Sequence, residues 1–465
     1  MTPRTIAVLG AGTAGLSAAL TLARDGHRVV LVERDSFAES DPAGAFAWKR
    51  DGISHFLQPH AFIPRGRLEL KNGLPDVYAT LIEEGAHDLD ARPRLPGPPE
   101  PGDDVLQYMA VRRPLIEWSL RKAVRSQPGI EVLTGTAAAG IRLDGGKVRG
   151  VDVNGRAVDA EVVVDAMGRR SPMRGWLGQH GFALPPPRTS QCGVIYYARY
   201  YRLRPGVELP DGPWLLGPRG DLGYMSFTTF PGDNRTFAVV LGVPTGVADL
   251  KLFMHEAAFQ AAVASIPLLM QWAGHDMCEP ITGVLPMGGM QNSLGALDDP
   301  LPAGVFPVAD ALCHTDPVLA HGLSFSLIHA LELARVLRAH GDPGDARAAY
   351  RAAILPTLTE RYELATALDE QRLRMWTGGE VDFRHRGGDY ALFSLSAAGA
   401  VAMVDPEVFR VFVRRMGLLD STRVLDENEP LQKRIEERFG ELMAKPRPAS
   451  GPAREEMLAL ARASL

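Results

Sequence analysis

The sequence predicts an α/β protein that carries an antiparallel sheet in its middle and helices toward its end. Three observations predict this fold class. The chain opens with an apolar strand, a helix and a second strand within residues 5–34, which is the size of one β-α-β unit. Residues 193–243 then place β-branched and aromatic runs between turn signals, as antiparallel strands do. Helical spacing of apolar residues dominates after residue 324.

The individual elements follow from local patterns. Apolar and β-branched runs predict strands at residues 5–9, 27–34, 130–135, 147–155 and 160–168, and a short run at 304–310 before a loop. Apolar stripes with helical spacing predict helices at residues 14–24, 112–126, 250–266 and 324–340. Prolines and acids predict a surface loop at 92–105, and the mostly helical remainder has a proline-rich break at 446–452.

The composition excludes several classes of protein. A length of 465 residues suggests about three domains. Charged residues make up 23% and hydrophobic residues 46% of the chain, as in an ordinary globular protein. The net charge of −5 provides no positive field, so neither nucleic acid nor an anionic membrane is an expected partner.

The cysteines indicate a reducing compartment. Cys192, Cys278 and Cys313 lie far apart and form no CxxC pair, so we expect no disulfide framework. His275 and Cys278 have HxxC spacing, but without a second pair we expect no metal site. The apolar segments are too short for a membrane span. Residues 1–4 run straight into the first apolar strand and leave no room for a signal peptide, so we expect a cytoplasmic protein.

The strongest motif is a GxGxxG turn between the first strand and the first helix. Gly10 permits the tight turn, Gly12 leaves space for a pyrophosphate, and Gly15 lets helix and strand pack closely. Thr13 and Ala14 lie at the start of the helix, where free N–H groups attract phosphate oxygens. The alternative is a glycine-rich turn without a ligand, but the strand and helix around it favour a dinucleotide.

An acidic residue completes this dinucleotide pattern. Glu33 ends the second strand, where its carboxylate can accept hydrogen bonds from both hydroxyls of an adenosine ribose. Arg34 follows it and is included among the expected cofactor-binding residues.

Further segments resemble the FAD-dependent monooxygenases of the para-hydroxybenzoate hydroxylase fold. The family's late GDA signature corresponds to residues 309–311, with Ala309 in place of the first glycine, and a loop with DPVLxxG follows at 316–322. The resemblance implies that Asp310 binds the ribityl chain and that Pro317 lies against the isoalloxazine ring. Backbone N–H groups around Gly322 and Leu323 would stabilise negative charge on the reduced ring.

The resemblance runs from about residue 4 to residue 345. It also implies FAD contacts for Arg113, which opens a helix near the phosphates, and for Gly168. The implied architecture is a Rossmann-like FAD-binding domain of the GR2 type with an inserted antiparallel substrate domain. We expect the FAD-binding domain at 1–75, 105–185 and 288–345, the substrate-binding sheet domain at 76–104 and 186–287, and a helical C-terminal region at 346–465.

The middle signature departs from that of the one-component hydroxylases. Gly168, Ser171 and Arg174 match the family, but Met167 stands where those enzymes have an aspartate. This style resembles the flavin-dependent epoxidases and styrene-monooxygenase-like members, which often receive reduced flavin from a separate reductase. The electron source is therefore NAD(P)H or a separate flavin reductase, and Asp165 has the alternative role of capping a strand.

A histidine-containing segment also resembles the epoxidase-like group. His60 matches the second histidine of the RxGxxQxxHxH stretch that begins at Arg50, whereas His55 replaces its glutamine. His60 could donate to a peroxide or orient substrate, or it could be a surface or capping residue. Halogenases of this fold need a WxWxIP segment, and the tryptophans here never fall two apart, so we reject halogenation.

These features predict a monooxygenase that inserts one oxygen atom of O2 into a hydrophobic small molecule through a flavin C4a-(hydro)peroxide. Hydroxylation and epoxidation both remain open, and secondary metabolism is the expected setting. No acid–base dyad is visible, and the candidates at the flavin ring are His60, Pro317, Gly322 and Leu323. The alternatives are an FAD-dependent reductase or dehydrogenase of the geranylgeranyl-reductase type and a flavin-binding regulatory protein without turnover.

Overall fold

A computed structural model of the chain describes residues 3–37, 41–48, 50–53, 55–212, 214–297, 301–446 and 449–465. Ser54, in the segment compared with the epoxidase-like group, lies outside the described residues. Residues 447 and 448 of the predicted proline-rich break lie outside them as well. Among the described residues, no helix combines the length and the apolar character needed to cross a bilayer.

Strands occupy the first two thirds of the chain. In chain order they are β1 Thr5–Leu9, β2 Arg28–Val32, β3 Ala61–Phe62, β4 His87–Asp90, β5 Gln107–Ala110, β6 Ile130–Leu133, β7 Ala138–Asp144, β8 Lys147–Val153, β9 Arg156–Asp159, β10 Val162–Asp165, β11 Arg188–Gln191, β12 Val194–Leu203, β13 Arg219–Asp221, β14 Ser226–Pro231, β15 Thr236–Pro244, β16 Cys278–Pro280, β17 Leu285–Met287, β18 Gln291–Leu294, β19 Val305–Pro307 and β20 Cys313–His314.

Helices are distributed along the whole chain and dominate its last third. They are α1 Thr13–Arg24, α2 Pro64–Gly73, α3 Pro75–Glu83, α4 Arg113–Ser126, α5 Met173–Gln179, α6 Glu256–Ser265, α7 Pro267–Ala273, α8 His321–Ala339, α9 Pro343–Trp376, α10 Tyr390–Leu392, α11 Ala398–Ala402, α12 Pro406–Met416, α13 Arg423–Asp426, α14 Glu429–Met443 and α15 Arg454–Ala463.

The N-terminal core is a parallel sheet with the strand order β19-β10-β1-β2-β6. Its inner strands β1 and β10 are almost continuous apolar runs because both faces are covered, and α1 packs against α8 beside the sheet. The carboxyl ends of β1, β2, β10 and β19 share one edge, where ligands of open parallel sheets bind.

The predicted antiparallel sheet has the order β13-β14-β15-β12-β16, and β17 also pairs with β12. In β14, residues alternate between buried and half-buried, whereas β15 is buried throughout because it lies inside the sheet. Smaller sheets are formed by β11-β18-β20, β3-β5-β4 and β7-β8-β9. The mixed α/β class with a parallel core, antiparallel sheets and C-terminal helices is confirmed.

The prediction of one helix over residues 250–266 was wrong. A 3-10 helix runs over Ala248–Met254, His255 is extended with φ −85° and ψ 132°, and α6 then begins. Leu250 and Phe253 are the buried residues of the first segment. Their i, i+3 spacing fits a 3-10 helix with three residues per turn as well as it fits an α-helix.

The segment 92–105 is not a plain surface loop. It contains 3-10 turns at Arg92–Arg94 and Asp103–Val105, and the Asp103 side chain is buried. The Asp103 carboxylate accepts from Nε of Arg410 at 3.0 Å, which ties this segment to α12. A contact across more than three hundred residues leaves no trace in the local pattern.

The last helix returns to the middle of the fold. Met457, Leu458 and Ala461 of α15 are buried in the same apolar cluster as Phe259 and Val263 of α6. The hydroxyl of Ser265 lies 3.5 Å from Sδ of Met457. The end of the chain therefore packs against the helix that flanks the antiparallel sheet.

Candidate FAD-binding and substrate site

The glycine turn lies at the carboxyl edge of the parallel sheet, and its three glycines have different reasons for being glycine. Gly10 has φ +96°, and a Cβ there would lie 2.5 Å from the carbonyl oxygen of Ala166. A Cβ on Gly15 would lie 1.8 Å from the carbonyl oxygen of Gly10. Gly12 has no such restriction, since its nearest neighbour would be Arg113 Nη2 at 3.6 Å. Gly10 and Gly15 are thus required by packing, whereas Gly12 borders open space.

Glu33 is buried just after β2 and already holds the turn in place. Its carboxylate accepts from the backbone N–H of Ala11 at 2.7 Å and from that of Asp35 at 2.9 Å. Nη2 of Arg50 lies 3.2 Å from the same carboxylate. Arg34 instead points outward, with 60% of its side chain exposed.

Arg50 joins a buried ionic cluster beside this turn. Its Nε lies 3.3 Å from Asp35 and 3.8 Å from Glu117. Nε of Arg113 donates to Glu117 at 2.8 Å, and Nη1 of Arg113 lies 2.8 Å from Nε2 of His55. From the sequence, Arg50 was expected only as the start of a motif, because its proximity to Glu33 depends on the loop between them.

Asp165 ends β10 and shapes the next turn. Its carboxylate accepts from the backbone N–H of Met167 at 3.1 Å and from the hydroxyl of Ser171 at 2.6 Å. Burial raises the pKa of Asp165 to about 6. These bonds are the strand-capping role that the sequence analysis gave as its alternative. Met167 contributes its side chain to the surrounding apolar packing.

The loop after β19 and the start of α8 face the same edge of the sheet. Ala309 has φ +48° and Ala320 has φ +55°, both in the left-handed region that favours glycine. The family that the sequence resembles has a glycine at the position of Ala309, and a glycine adopts this backbone conformation without strain. The Asp316 carboxylate accepts from the N–H of Val318 at 3.0 Å and so fixes the turn that contains Pro317.

These loops surround a cavity of about 1530 Å³, counted out to its open mouth. The cavity wall brings together most of the predicted site residues: Gly12, Thr13, Ala14, His60, Arg113, Gly168, Asp310, Pro317, Gly322 and Leu323. Gly10, Gly15, Glu33 and Arg34 do not line it.

The opposite wall of the cavity comes from the antiparallel sheet. Phe230, Val240, Met287 and Met290 give this wall its apolar character, and Tyr196 and Thr228 also line it. The cationic lining residues Arg113 and Arg169 belong instead to the glycine-turn side. The cavity therefore has a polar, phosphate-compatible end and an apolar end.

A buried polar network that the sequence analysis missed connects the two walls. Nη2 of Arg372 lies 2.5 Å from Asp316 and 2.7 Å from Asp369. The Tyr196 hydroxyl donates to Asp316 at 2.8 Å, and Asn292 donates to Asp369 at 2.7 Å. Only the i, i+3 spacing of Asp369 and Arg372 was visible in the sequence.

The same network contains three neighbouring side chains of types that can bind a metal ion. Cys192, Asp316 and Asp369 have ligand atoms within 4.8 Å of one another. The Arg372 guanidinium lies between the two carboxylates and supplies the positive charge there. Burial and the neighbouring Asp316 raise the pKa of Asp369 to about 9, so this carboxyl holds a proton at neutral pH.

Several histidines near the cavity are neutral. Burial and the Arg113 charge lower the pKa of His60 to about 3 and hold the pKa of His55 well below its usual range. Burial, with Arg361 and Arg415, likewise holds the pKa of His321 well below its usual range. Neutral imidazoles can bind a ligand through one acceptor nitrogen but do not attract anions.

The geometry fits FAD at the polar end of the cavity. Gly12 borders a cradle that a larger side chain would fill, and Thr13 Oγ1 is buried there without a hydrogen-bond partner among the described residues. The N-terminal turns of α1 and α8 both line the cavity and present backbone N–H groups to it. An unpaired buried hydroxyl beside free N–H groups is suited to phosphate oxygens.

A parallel-sheet core, a glycine turn and a two-ended cavity are together the features expected of an FAD-dependent oxidoreductase. Residues 5–97 match the family described as FAD dependent oxidoreductase. The chain is 24% identical to Protein Rv3254 of Mycobacterium tuberculosis, with 89% of each protein aligned. It is 33% identical to 6-methylpretetramide 4-monooxygenase of Streptomyces rimosus over 36% of this chain and 39% of that protein.

Another relative and two solved structures extend these comparisons. "Probable electron transfer flavoprotein-quinone oxidoreductase YdiS" of Escherichia coli is 30% identical over 37% of this chain and 38% of that protein. The crystal structure of "pqsL, a probable FAD-dependent monooxygenase from Pseudomonas aeruginosa" has a TM-score of 0.60 at 17% identity, covering 81% of this chain and 99% of that one. The flavin-dependent brominase Bmp2 has a TM-score of 0.57 at 17% identity, covering 96% and 100%. These structural similarities concern the fold.

Proposed function

We propose that this FAD-dependent oxidoreductase is a monooxygenase that inserts one oxygen atom of O2 into a hydrophobic small molecule. The observation that carries the proposal is the two-ended cavity. Its polar end offers Gly12 and Thr13, and its apolar end offers Phe230, Met287 and Met290. A cavity of this kind lets a flavin ring and an apolar substrate lie side by side away from bulk water.

The proposed cofactor contacts follow the cavity from one end to the other. Gly12, Thr13 and Ala14 would hold the pyrophosphate at the start of α1, and Arg113 would lie near it. Glu33 would bind the adenosine ribose. Arg50 lies against the Glu33 carboxylate, so it would move away or share that carboxylate with the ribose. Asp310 would bind the ribityl chain, and Pro317, Gly322 and Leu323 would contact the flavin ring.

FAD supplies the redox chemistry in this proposal, and the protein supplies binding and orientation. The net reaction takes a substrate C–H group, or a C=C bond for epoxidation, with O2, two electrons and two protons. One oxygen atom enters the product and the other leaves as water. The electrons come from NAD(P)H or from a separate flavin reductase, and Met167 in place of an aspartate supports the reductase.

The proposed domain organisation assigns residues 1–75, 105–185 and 288–345 to FAD binding. Residues 76–104 and 186–287 would bind substrate, and residues 346–465 form the helical C-terminal region. The hydrogen bonds of Arg372 support contact between these three parts, because they join α9 to β12 and to the loop that contains Pro317.

The similarity to 6-methylpretetramide 4-monooxygenase supports a monooxygenase, and for this chain we propose hydroxylation in secondary metabolism. Epoxidation, in the style of the styrene-monooxygenase-like enzymes, is the other outcome for the same site. The WxWxIP segment that halogenases of this fold need is absent from the sequence, so the fold shared with the brominase does not lead us to propose halogenation.

A second candidate function is an FAD-dependent reductase or dehydrogenase. The similarity to YdiS favours it, because YdiS is named as a probable electron transfer flavoprotein-quinone oxidoreductase. Such an enzyme passes electrons between flavin and substrate and incorporates no oxygen. The distinction between the two functions is the fate of the O2 atoms.

The test uses purified holoprotein, a reductase with NADH, an apolar ring compound and isotopically labelled O2. A monooxygenase gives product with one labelled oxygen atom and one labelled water. A reductase gives reduced product without label. Labelled hydrogen peroxide as the only oxygen product, for every compound that binds, would overturn the proposal.

A further inference from the structure

Two buried arginines of the helical C-terminal region lie close to the start of α8. Arg361 belongs to α9 and Arg415 to α12, and both side chains are almost completely closed to solvent. Ala365, one turn after Arg361, packs in one apolar cluster with Leu319, which lies just before α8. Met416, next to Arg415, packs against the same cluster. Residues four apart share one face of a helix, so Arg361 lies on the face of α9 that packs toward the start of α8.

Arg361 is a buried cation without a counterion in the described part of the chain. Its Nη2 donates to the backbone carbonyl oxygen of Asp420 at 2.8 Å. Its Nε and Nη1 are buried, and neither has a hydrogen-bond partner among the residues that the structure describes. The neighbouring carboxylates are engaged elsewhere, Asp420 with Arg414 and Glu360 with the hydroxyl of Ser421.

Arg415 adds a second positive charge to this region. Its Nη2 lies 3.3 Å from the Asp426 carboxylate and 3.4 Å from the Ser394 hydroxyl. Burial and the charge of Arg415 lower the pKa of Arg361 to about 10, so Arg361 is still charged at neutral pH. A buried charge that meets no opposite charge is strongly destabilising. The region therefore calls for a negative charge that the described side chains do not supply.

His321, the first residue of α8, is a further unpaired donor in this region. Its side chain is buried, and neither ring nitrogen has a hydrogen-bond partner among the described residues. Burial and the charges of Arg361 and Arg415 hold the pKa of His321 well below its usual range. A neutral imidazole has one N–H to donate. His321 thus adds a donor without adding a third positive charge.

We propose that Arg361 binds a small monovalent anion, of the size of chloride, between α8, α9 and α12, with the His321 ring as a second donor. A water molecule could fill the same hydrogen bonds, but it brings no charge to balance the guanidinium. Arg361 is closed to solvent, which excludes nucleotides and phosphate esters as ligands. A single unbalanced guanidinium favours a monovalent anion over sulfate.

The bound anion would join the helical C-terminal region to the first turn of α8. That turn also lines the cavity through His321, Gly322 and Leu323. The anion would therefore stabilise the folded protein from a place outside the proposed substrate contacts. Its binding does not depend on which reaction the flavin supports.

The first test is urea unfolding of the FAD-loaded protein at pH 7, with excess FAD and constant ionic strength. Sodium chloride replaces sodium gluconate stepwise, since gluconate is too large for a site that is closed to solvent. An anion that binds only the folded state lowers the unfolding equilibrium constant. We expect a decrease of about tenfold for each tenfold rise of chloride above its dissociation constant. An unfolding constant that is independent of chloride overturns the proposal.

Two variants assign the chloride effect to Arg361. Arg361→Met keeps a long unbranched side chain but removes the charge and the donors, so its unfolding constant should not respond to chloride. Arg338→Met in α8 is the matched control, because it changes the net charge equally at a side chain that is 51% exposed. The control should respond as the wild type does. If Arg361→Met responds equally, Arg361 does not bind the anion.

A diffraction experiment gives an answer even if Arg361→Met does not fold. Crystals of the wild-type holoprotein are grown in sodium bromide, and data are collected at the bromine absorption edge. We expect an anomalous peak within hydrogen-bond distance of Nε or Nη1 of Arg361. Bromide at surface residues only, with water or no density beside Arg361, overturns the proposal.

Discussion

Arg372 forms an ion pair with Asp316, in which Nη2 lies 2.5 Å from a carboxylate oxygen, and both side chains are buried. Arg372 belongs to the last turns of α9, whereas Asp316 fixes the turn that contains Pro317. Nη1 of Arg372 also donates to the Tyr196 hydroxyl at 3.1 Å, and the Tyr196 ring lines the cavity. The helical C-terminal region thus directly positions the loop next to the proposed flavin.

The first prediction compares the two carboxylates of this network. Asp316→Asn should destabilise the protein by about 2 kcal/mol, because it removes the ionised partner of a buried guanidinium. The loss stays below about 3–5 kcal/mol since Asp369 can ionise and replace it. Asp369→Asn is the control and should not destabilise the protein at pH 7, because it replaces a carboxyl that must take up a proton on folding. Urea unfolding at pH 7 measures both, and equal losses would contradict this charge assignment.

The second prediction concerns the pH dependence that Asp369 imposes. The folded protein holds this proton to about pH 9, whereas an unfolded aspartate loses it near pH 4. The unfolded state therefore binds fewer protons between these values, and the contribution to stability falls as pH rises. Between these pH values, the free energy of unfolding of Asp369→Asn should rise relative to that of the wild type by up to about 1.4 kcal/mol per pH unit. Unfolding at pH 5, 7 and 9 tests this, and parallel curves would refute it.

The third prediction concerns the glycine turn. A Cβ at Gly12 would be in ordinary contact with Arg113 and Ile53, so Gly12→Val should fold but should exclude the pyrophosphate. We expect colourless protein with a native circular dichroism spectrum. Gly175→Val in α5 is the control, because a Cβ there meets no atom within 4 Å, and it should purify yellow. Yellow Gly12→Val protein would reject the phosphate assignment.

The fourth prediction concerns Asp310 at the other end of the cofactor. Asp310→Ala removes one or two hydrogen bonds to the ribityl chain and should weaken FAD binding by about ten- to a hundredfold. Asp310→Asn keeps an acceptor oxygen and should fall between the variant and the wild type. Titration of the apoprotein with FAD measures the three affinities. Identical values would show that Asp310 does not bind the cofactor.

The fifth prediction concerns the electron source. Hydride transfer requires a nicotinamide held against the flavin at near-attack distance, and Met167 cannot accept the hydrogen bonds of the aspartate it replaces. NADH or NADPH alone should therefore reduce the bound FAD slowly, and a flavin reductase should restore turnover. Anaerobic stopped flow follows the loss of oxidised-flavin absorbance. Bleaching at about 10 per second, an ordinary turnover rate, would make this a one-component enzyme.

Patterns within short stretches of sequence predicted the first elements of the fold. The first strand, helix and strand were expected at residues 5–9, 14–24 and 27–34, and they lie at 5–9, 13–24 and 28–32. Their apolar periods and the glycine turn are written within a few neighbouring residues. The helix expected at 324–340 begins earlier, at His321, because the left-handed Ala320 ends the preceding turn.

Contacts between distant residues could not be predicted in this way. Arg372 and Asp316 are separated by 56 positions, and Gln58 reaches the Leu285 carbonyl across 227 positions. Arg50 and Glu33 are nearer, but the loop that joins them has no periodic pattern. A single sequence gives the types of these residues, whereas their pairing depends on how sheets and helices pack.

The return of α15 to α6 has a consequence for protein production. Met457, Leu458 and Ala461 shield Phe259 and Val263 from solvent, so a chain shortened to end before Arg454 would expose an apolar strip beside the antiparallel sheet. Exposed strips of this kind promote self-association. A truncated version is therefore expected to aggregate during expression even though every residue that lines the cavity is still present.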